Sequence, residues 1–213
     1  MSRVNYARTE RQALVDTMRE TGPDAPTLCT GWTVRDLAVH LILREGRPDA
    51  AAGIFVPALA EHTARVSRST GKRDFDDLLR TIETGPPLYS PMKPIDRWVN
   101  LAEMFVHHED VLRGGADPAG PWRPRPLPAG LEKALVRPLT MVGRRTLAGS
   151  PGRVTLRTPD GAELLTAGRG EPLTVTGPVG ELLLFAFGRA PVELTYAGDE
   201  QLLDALRHAE RGI

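Results

Sequence analysis

Five histidines mark the 213-residue chain, at positions 40, 62, 107, 108 and 208, and one of them follows a glutamate by four residues. Glu103 and His107 at that spacing project from one face of a helix, a turn apart. Asn100 and Asp110 flank them on the same stripe, beside the apolar positions Ala102, Phe105 and Val106. His40 stands in a comparable setting, in the stripe Asp36, His40, Arg44 and Arg47 next to Leu37. A histidine from one helix and a Glu-x-x-x-His pair from another offer two imidazole nitrogens and one carboxylate oxygen. That is the donor set of a catalytic divalent-metal site, with a coordination position left for water or substrate. The same residues admit a plainer reading, in which Glu103 and His107 are an ordinary helix-surface pair and the Asp36–Arg47 stripe is a solvated face.

The remaining chemistry-bearing residues are less informative. His108 points away from His107 on a helix and reads as a surface residue or a supporting one, while His62 and His208 read as exposed helical positions. Cys29 lies in a loop with no histidine near it in sequence, so a nucleophilic role has little to recommend it. Gly-rich phosphate loops of Walker or Rossmann spacing are absent, as is Gly-x-Ser-x-Gly.

The elements that must position these residues can be read from periodicity. Ala7, Leu14, Val15 and Met18 give residues 3–21 a helical period that Gly22-Pro23 stops. Thr33 sits as an N-cap with Asp36 three residues on, a capping-box pattern opening a helix from Val34 that Gly46-Arg47-Pro48 weakens. Residues 57–82 read as helix interrupted near 69–73, and the prolines at 86, 87, 91 and 94 make a stiff loop. A fourth helix runs from about Ile95 to Arg113, with Ile95, Trp98, Val99, Ala102, Phe105, Val106 and Leu112 on one broad face, and Gly114-Gly115 ends it. Four helices with short or moderate connections imply a bundle over residues 1–115.

The Gly- and Pro-rich stretch 116–130 reads as a linker. Residues 131–213 then read as a small α+β domain: a helix at Leu131–Leu147, short strands at Arg153–Thr158, Glu163–Thr166, Pro172–Thr176 and Val192–Tyr196, a buried helix at Gly177–Gly188 and a closing helix at Asp199–Glu210. The predicted fold class is therefore α+β, mostly helical.

Bulk properties narrow the function further. Basic and acidic residues both number 27, so the chain carries no overall electrostatic signature of nucleic acid or anionic membrane. The single cysteine permits no intramolecular disulfide, which fits a reducing compartment. The charged N-terminus has no signal-peptide core and no apolar run reaches the length of a membrane span, so the expectation is a cytoplasmic protein.

The segment Leu28-Cys-Thr-Gly-Trp-Thr-Val-Arg-Asp-Leu-Ala-Val-His40-Leu41 resembles the GW-T-V-x-D-L-x-x-H-L signature of DinB-like metal-binding bundles, in particular the mycothiol-dependent maleylpyruvate isomerase group. Glu103-Met-Phe-Val-His107-His108-Glu109-Asp110 is similar to that group's E-x-x-x-H-x-x-D segment, and Val175–Arg189 resembles its second domain, of sterol-carrier-like α+β fold. The resemblance covers most of the chain. It implies that His40, Glu103 and His107 ligate a divalent metal, with zinc the first choice from ligand type, and that mycothiol serves as a thiol co-substrate. The implied activity is that of a thiol S-transferase or isomerase joining a small thiol and a small electrophile, with no nucleic-acid or membrane partner. In such a reaction Arg44 or Arg47 would hold a substrate carboxylate by a bidentate contact, and Arg189 would add a further cation. The doubled His107-His108 and the segment Arg44–Asp49 depart from the isomerase proper and leave the substrate open. A bundle that senses or sequesters a ligand without turnover is the competing function. A fourth protein ligand, with His108 or Asp110 the nearest suspects, would mark that case.

Overall fold

The computed structural model describes residues 4–51, 59–87 and 99–211, which form two compact units, Met1–Gly115 and Ala116–Ile213. Among the described residues the first unit is entirely helical: α1 (Tyr6–Thr21), α2 (Val34–Gly46), the short α3 (Pro48–Ala51), α4 (Ala60–Gly71), α5 (Phe75–Thr84) and α6 (Val99–Leu112).

Local chemistry sets the ends of these helices. Thr33 Oγ1 accepts from the Asp36 N–H, and the Asp36 carboxylate accepts from the Thr33 N–H at 2.9 Å, a reciprocal capping box that fixes where α2 begins. Asn5 caps α1 and Asp74 caps α5 in the same way with single side chains. The interruption expected near 69–73 falls at residues 72–74, between α4 and α5, where Asp74 restarts the backbone as α5; residues 57 and 58 lie outside the described residues. The expected start of the fourth helix at Ile95 and Trp98, and the prolines at 91 and 94, lie outside the described residues.

Packing centres on α6. From Asn100 to Val111 every residue except the half-buried Glu103 is buried, and Leu112 is the first exposed one. A helix covered on all sides is the axis of its unit, not an amphipathic wall, so the single broad apolar face expected for it was too narrow. Leu14, Val15 and Met18 of α1, Leu37, Ala38 and Leu41 of α2, Leu78, Leu79 and Ile82 of α5, and Met104 and Val111 of α6 share one core. Inside it Arg11 binds Glu45 through two parallel bonds of 2.7 and 2.5 Å and donates to the Ile82 carbonyl at 3.1 Å, tying α1, α2 and α5 together.

The second unit is α+β. Helix α7 (Ala129–Thr146) precedes a four-stranded sheet of order β2-β1-β3-β4, formed by β1 (Arg153–Arg157), β2 (Glu163–Ala167), β3 (Pro172–Thr176) and β4 (Thr195–Ala197). β1 pairs antiparallel with β2 and parallel with β3, and β3 pairs antiparallel with β4. Val154, Leu156, Leu173 and Val175 alternate inward, as the period of two demands. α8 (Val179–Ala186) is buried along its whole length, and α9 (Glu200–His208) closes the unit through Leu203 and Leu206.

Candidate metal centre

The first unit brings two of its helices together on three donors. His40 of α2 and Glu103 and His107 of α6 each offer one ligand atom, and these atoms lie within 4.8 Å of one another. The His107 and His40 rings are 5.4 Å apart in an edge-on arrangement, and His107 Nε2 is 3.3 Å from Glu103 Oε2. The i, i+4 spacing on α6 supplies the last contact, and the capping box of α2 sets the register that brings His40 opposite.

Each donor is itself supported. His107 Nδ1–H donates to Asp110 Oδ2 at 2.9 Å, and Asp110 is fully buried. Arg44, one turn beyond His40, donates to Asn100 Oδ1 at 3.0 Å and lies 3.5 Å from Glu103 Oε2. Trp32, a third exposed, stacks obliquely on His40 with ring centres 5.0 Å apart.

The electrostatics follow from these neighbours. Burial, with the nearby His107 and Arg44, pushes His40 down to about 4, so its imidazole is neutral at neutral pH. Burial alone would raise Glu103, but its hydrogen bond with His107 and the charges of His107, Arg44 and His40 hold it at about 2. Burial opposes the charged form of His107 too, yet its bonds to Asp110, Cys29 and Glu103 outweigh this and raise it well above the usual imidazole value. The cluster therefore concentrates positive charge on the imidazole lying between two carboxylates. Two imidazole nitrogens and a carboxylate oxygen suit a divalent metal of the zinc, nickel, iron or manganese kind.

The other sequence-selected residues fall elsewhere. Arg47 binds Asp49 through Nε and Nη2 at 2.9 and 2.8 Å, on the exposed side of α3. Arg189 lies in the second unit just after α8, donating to the Phe187 carbonyl. His108 is buried instead of superficial: its Nδ1–H donates to Glu10 Oε2 at 3.3 Å and its Nε2 accepts from Thr17 Oγ1 at 2.9 Å. Neither His108 nor Asp110 joins the His40–Glu103–His107 set, so among the described residues that set has three protein donors and no fourth.

The residue that sequence reasoning passed over is Cys29. Its Sγ–H donates to Asp110 Oδ2 at 3.2 Å, the oxygen that also receives His107 Nδ1–H. No histidine is near Cys29 in sequence because the contact is made across the fold, 81 residues away. The available signal was the place of Cys29 just ahead of the α2 cap, together with Asp110 one turn past His107.

A helical unit carrying a two-histidine, one-carboxylate cluster, followed by an α+β unit, defines the class of the protein. Residues 5–88 match the family profile of the mycothiol maleylpyruvate isomerase N-terminal domain. The matched segment spans less than half of the chain; it includes His40 and ends before Glu103 and His107. Among solved structures it is similar to the mycothiol-dependent maleylpyruvate isomerase, with a TM-score of 0.58 at 16% identity over 90% of each chain. A variant of that enzyme with one histidine replaced by alanine gives a TM-score of 0.57 at 15% identity over the same shares. At such identity the likeness is one of fold. No curated protein sequence matches the chain significantly. None of the described helices is long and apolar enough to cross a membrane.

Proposed function

We propose that this protein is a metal-dependent, mycothiol-type thiol S-transferase or isomerase acting on a small electrophile, with His40, Glu103 and His107 as the metal ligands. The observation that carries the reading is the convergence of those three donors from two helices, with no fourth protein donor among the described residues. When bound, the metal would supply a Lewis acid able to favour the thiolate form of a small thiol at neutral pH.

The protein's own groups would do the rest. His40 offers a neutral nitrogen because burial keeps it unprotonated, and Glu103 offers an anionic oxygen because its cationic neighbours keep it ionised. Asp110 holds His107 through Nδ1, leaving Nε2 for the metal, the carboxylate–histidine arrangement common around such centres. Arg44, which lies 3.5 Å from Glu103 Oε2, would be the cation that holds a substrate carboxylate. Arg47 would act only on leaving Asp49.

Elemental analysis of the untagged protein beside a His40→Ala/His107→Ala variant tests the assignment. About one equivalent of metal in the wild type and none in the variant is the expected result. Thiols, mycothiol first, are then screened with small conjugated electrophiles. A folded wild type that takes up no added zinc, nickel, iron or manganese overturns the reading. A loaded protein that binds thiol without turnover places it with the sensing modules.

A further inference from the structure

We propose that Cys29 is a positioning residue for the metal centre, acting on His107 both directly and through Asp110; the inference rests on the metal reading and deepens it. Asp110 Oδ2 accepts two hydrogen bonds, one from His107 Nδ1–H at 2.9 Å and one from Cys29 Sγ–H at 3.2 Å. The thiol therefore helps to fix the orientation of the carboxylate that in turn fixes the imidazole. A carboxylate free to rotate about its terminal torsion holds a ring less firmly than one pinned by a second donor.

The loop that carries Cys29 is built to hold it still. Leu28 N–H donates to the Asp110 carbonyl at 2.9 Å, so the backbone beside the thiol is bonded to the very residue the thiol contacts. Cys29 N–H donates to Thr27 Oγ1 at 3.2 Å, and the Cys29 carbonyl accepts from Trp32 N–H at 2.9 Å, closing a turn in which Gly31 takes φ +78°. That positive φ at the third position is one glycine adopts without strain. Behind the loop, a Cβ added at Gly114 would lie 2.0 Å from the Pro26 carbonyl oxygen, so the turn after α6 and the loop touch where only hydrogen fits. These contacts place the thiol against Asp110 independently of any cation.

The cluster Cys29, His107 and Asp110 also has the donors of a thiol-containing cation site. The three groups are already bonded to one another: Cys29 bonds both His107 and Asp110, and His107 Nδ1 bonds Asp110 Oδ2. Direct ligation by sulfur is thus an outcome that the test must separate from positioning.

The test uses the full chain and cobalt(II), whose visible spectrum reports its ligands without any assay of activity. Cobalt affinity is measured by competition with a chromophoric chelator for the wild type, Cys29→Ala, Cys29→Ser and Val15→Ala, the last a core change on α1 whose side chain takes part in none of these hydrogen bonds. Cys29→Ala is expected to bind about tenfold more weakly, and Cys29→Ser, which keeps a donor, to recover most of the loss. Val15→Ala is expected to bind as the wild type does, which shows that a less stable fold alone does not weaken the site. Equal affinity of wild type and Cys29→Ala overturns the proposal while leaving the metal reading intact. A sulfur-to-cobalt charge-transfer band in the wild type that Cys29→Ser abolishes overturns it in favour of direct ligation. A wild type that takes up no cobalt overturns the metal reading itself, and this inference with it.

Discussion

His107 is the residue on which the centre turns, because it is the one group shared by the ligand set and the network behind it. Its raised basicity means that a metal entering at neutral pH must displace a proton from it. Calorimetric titration in buffers of different ionisation enthalpy should therefore show about one proton released per metal, with binding tightening as pH rises. Asp110→Asn should weaken metal binding by about 10–100-fold, measured by chelator competition. In the metal-free protein the two histidines act on stability in opposite directions. His40 has a folded value near 4, below the 6.5 of an unfolded imidazole, so stability is present above 6.5 and falls away as pH drops from there towards 4. His107 has a raised folded value, so its contribution is fully present below 6.5 and is lost as pH rises from there through the raised folded value. Chemical denaturation across this range should show His40→Gln flattening the acidic limb and His107→Gln the alkaline one.

At the scale of elements, the register of α2 decides whether His40 meets α6 at all. Thr33→Ala removes half of the capping box and should cost about 1 kcal/mol in denaturant unfolding. The buried Arg11–Glu45 pair makes a harsher demand: Arg11→Met alone leaves Glu45 uncompensated and should cost about 3–5 kcal/mol, whereas Arg11→Met with Glu45→Leu should recover much of that. Most helix and strand positions could be read from the sequence, since Thr33–Asp36, Gly22-Pro23 and the alternation of Val154, Leu156, Leu173 and Val175 are local signals. The sequence placed β4 slightly early, at Val192–Tyr196 against Thr195–Ala197, because a three-residue edge strand leaves little periodicity to find. The three clustered donors were readable from spacing and motif. Cys29 and the burial of His108 were not, because both depend on partners 81 to 98 residues away that no local pattern encodes.

Over the whole molecule, the two units have different construction: one organised around a central helix, the other around a small mixed sheet with a buried helix. Between α6 and α7 the described backbone has no helix or strand, and its Pro- and Gly-rich sequence is largely exposed. Limited proteolysis should cut first in the segment 116–128, where exposed backbone outside regular structure is easiest to engage.

The central place of α6 also bears on how the protein is made. Helix α1 has α6 as its main partner, yet all of α2 to α5 is synthesised between them. A chain leaving the ribosome therefore presents Leu14, Val15 and Met18 without their principal cover until α6 has emerged. Closing that long loop carries an entropic cost that contacts between neighbouring helices do not. A nascent chain halted before Val99 would be a natural client for chaperones that bind exposed apolar helices, and release from them would coincide with the arrival of the helix that carries Glu103 and His107.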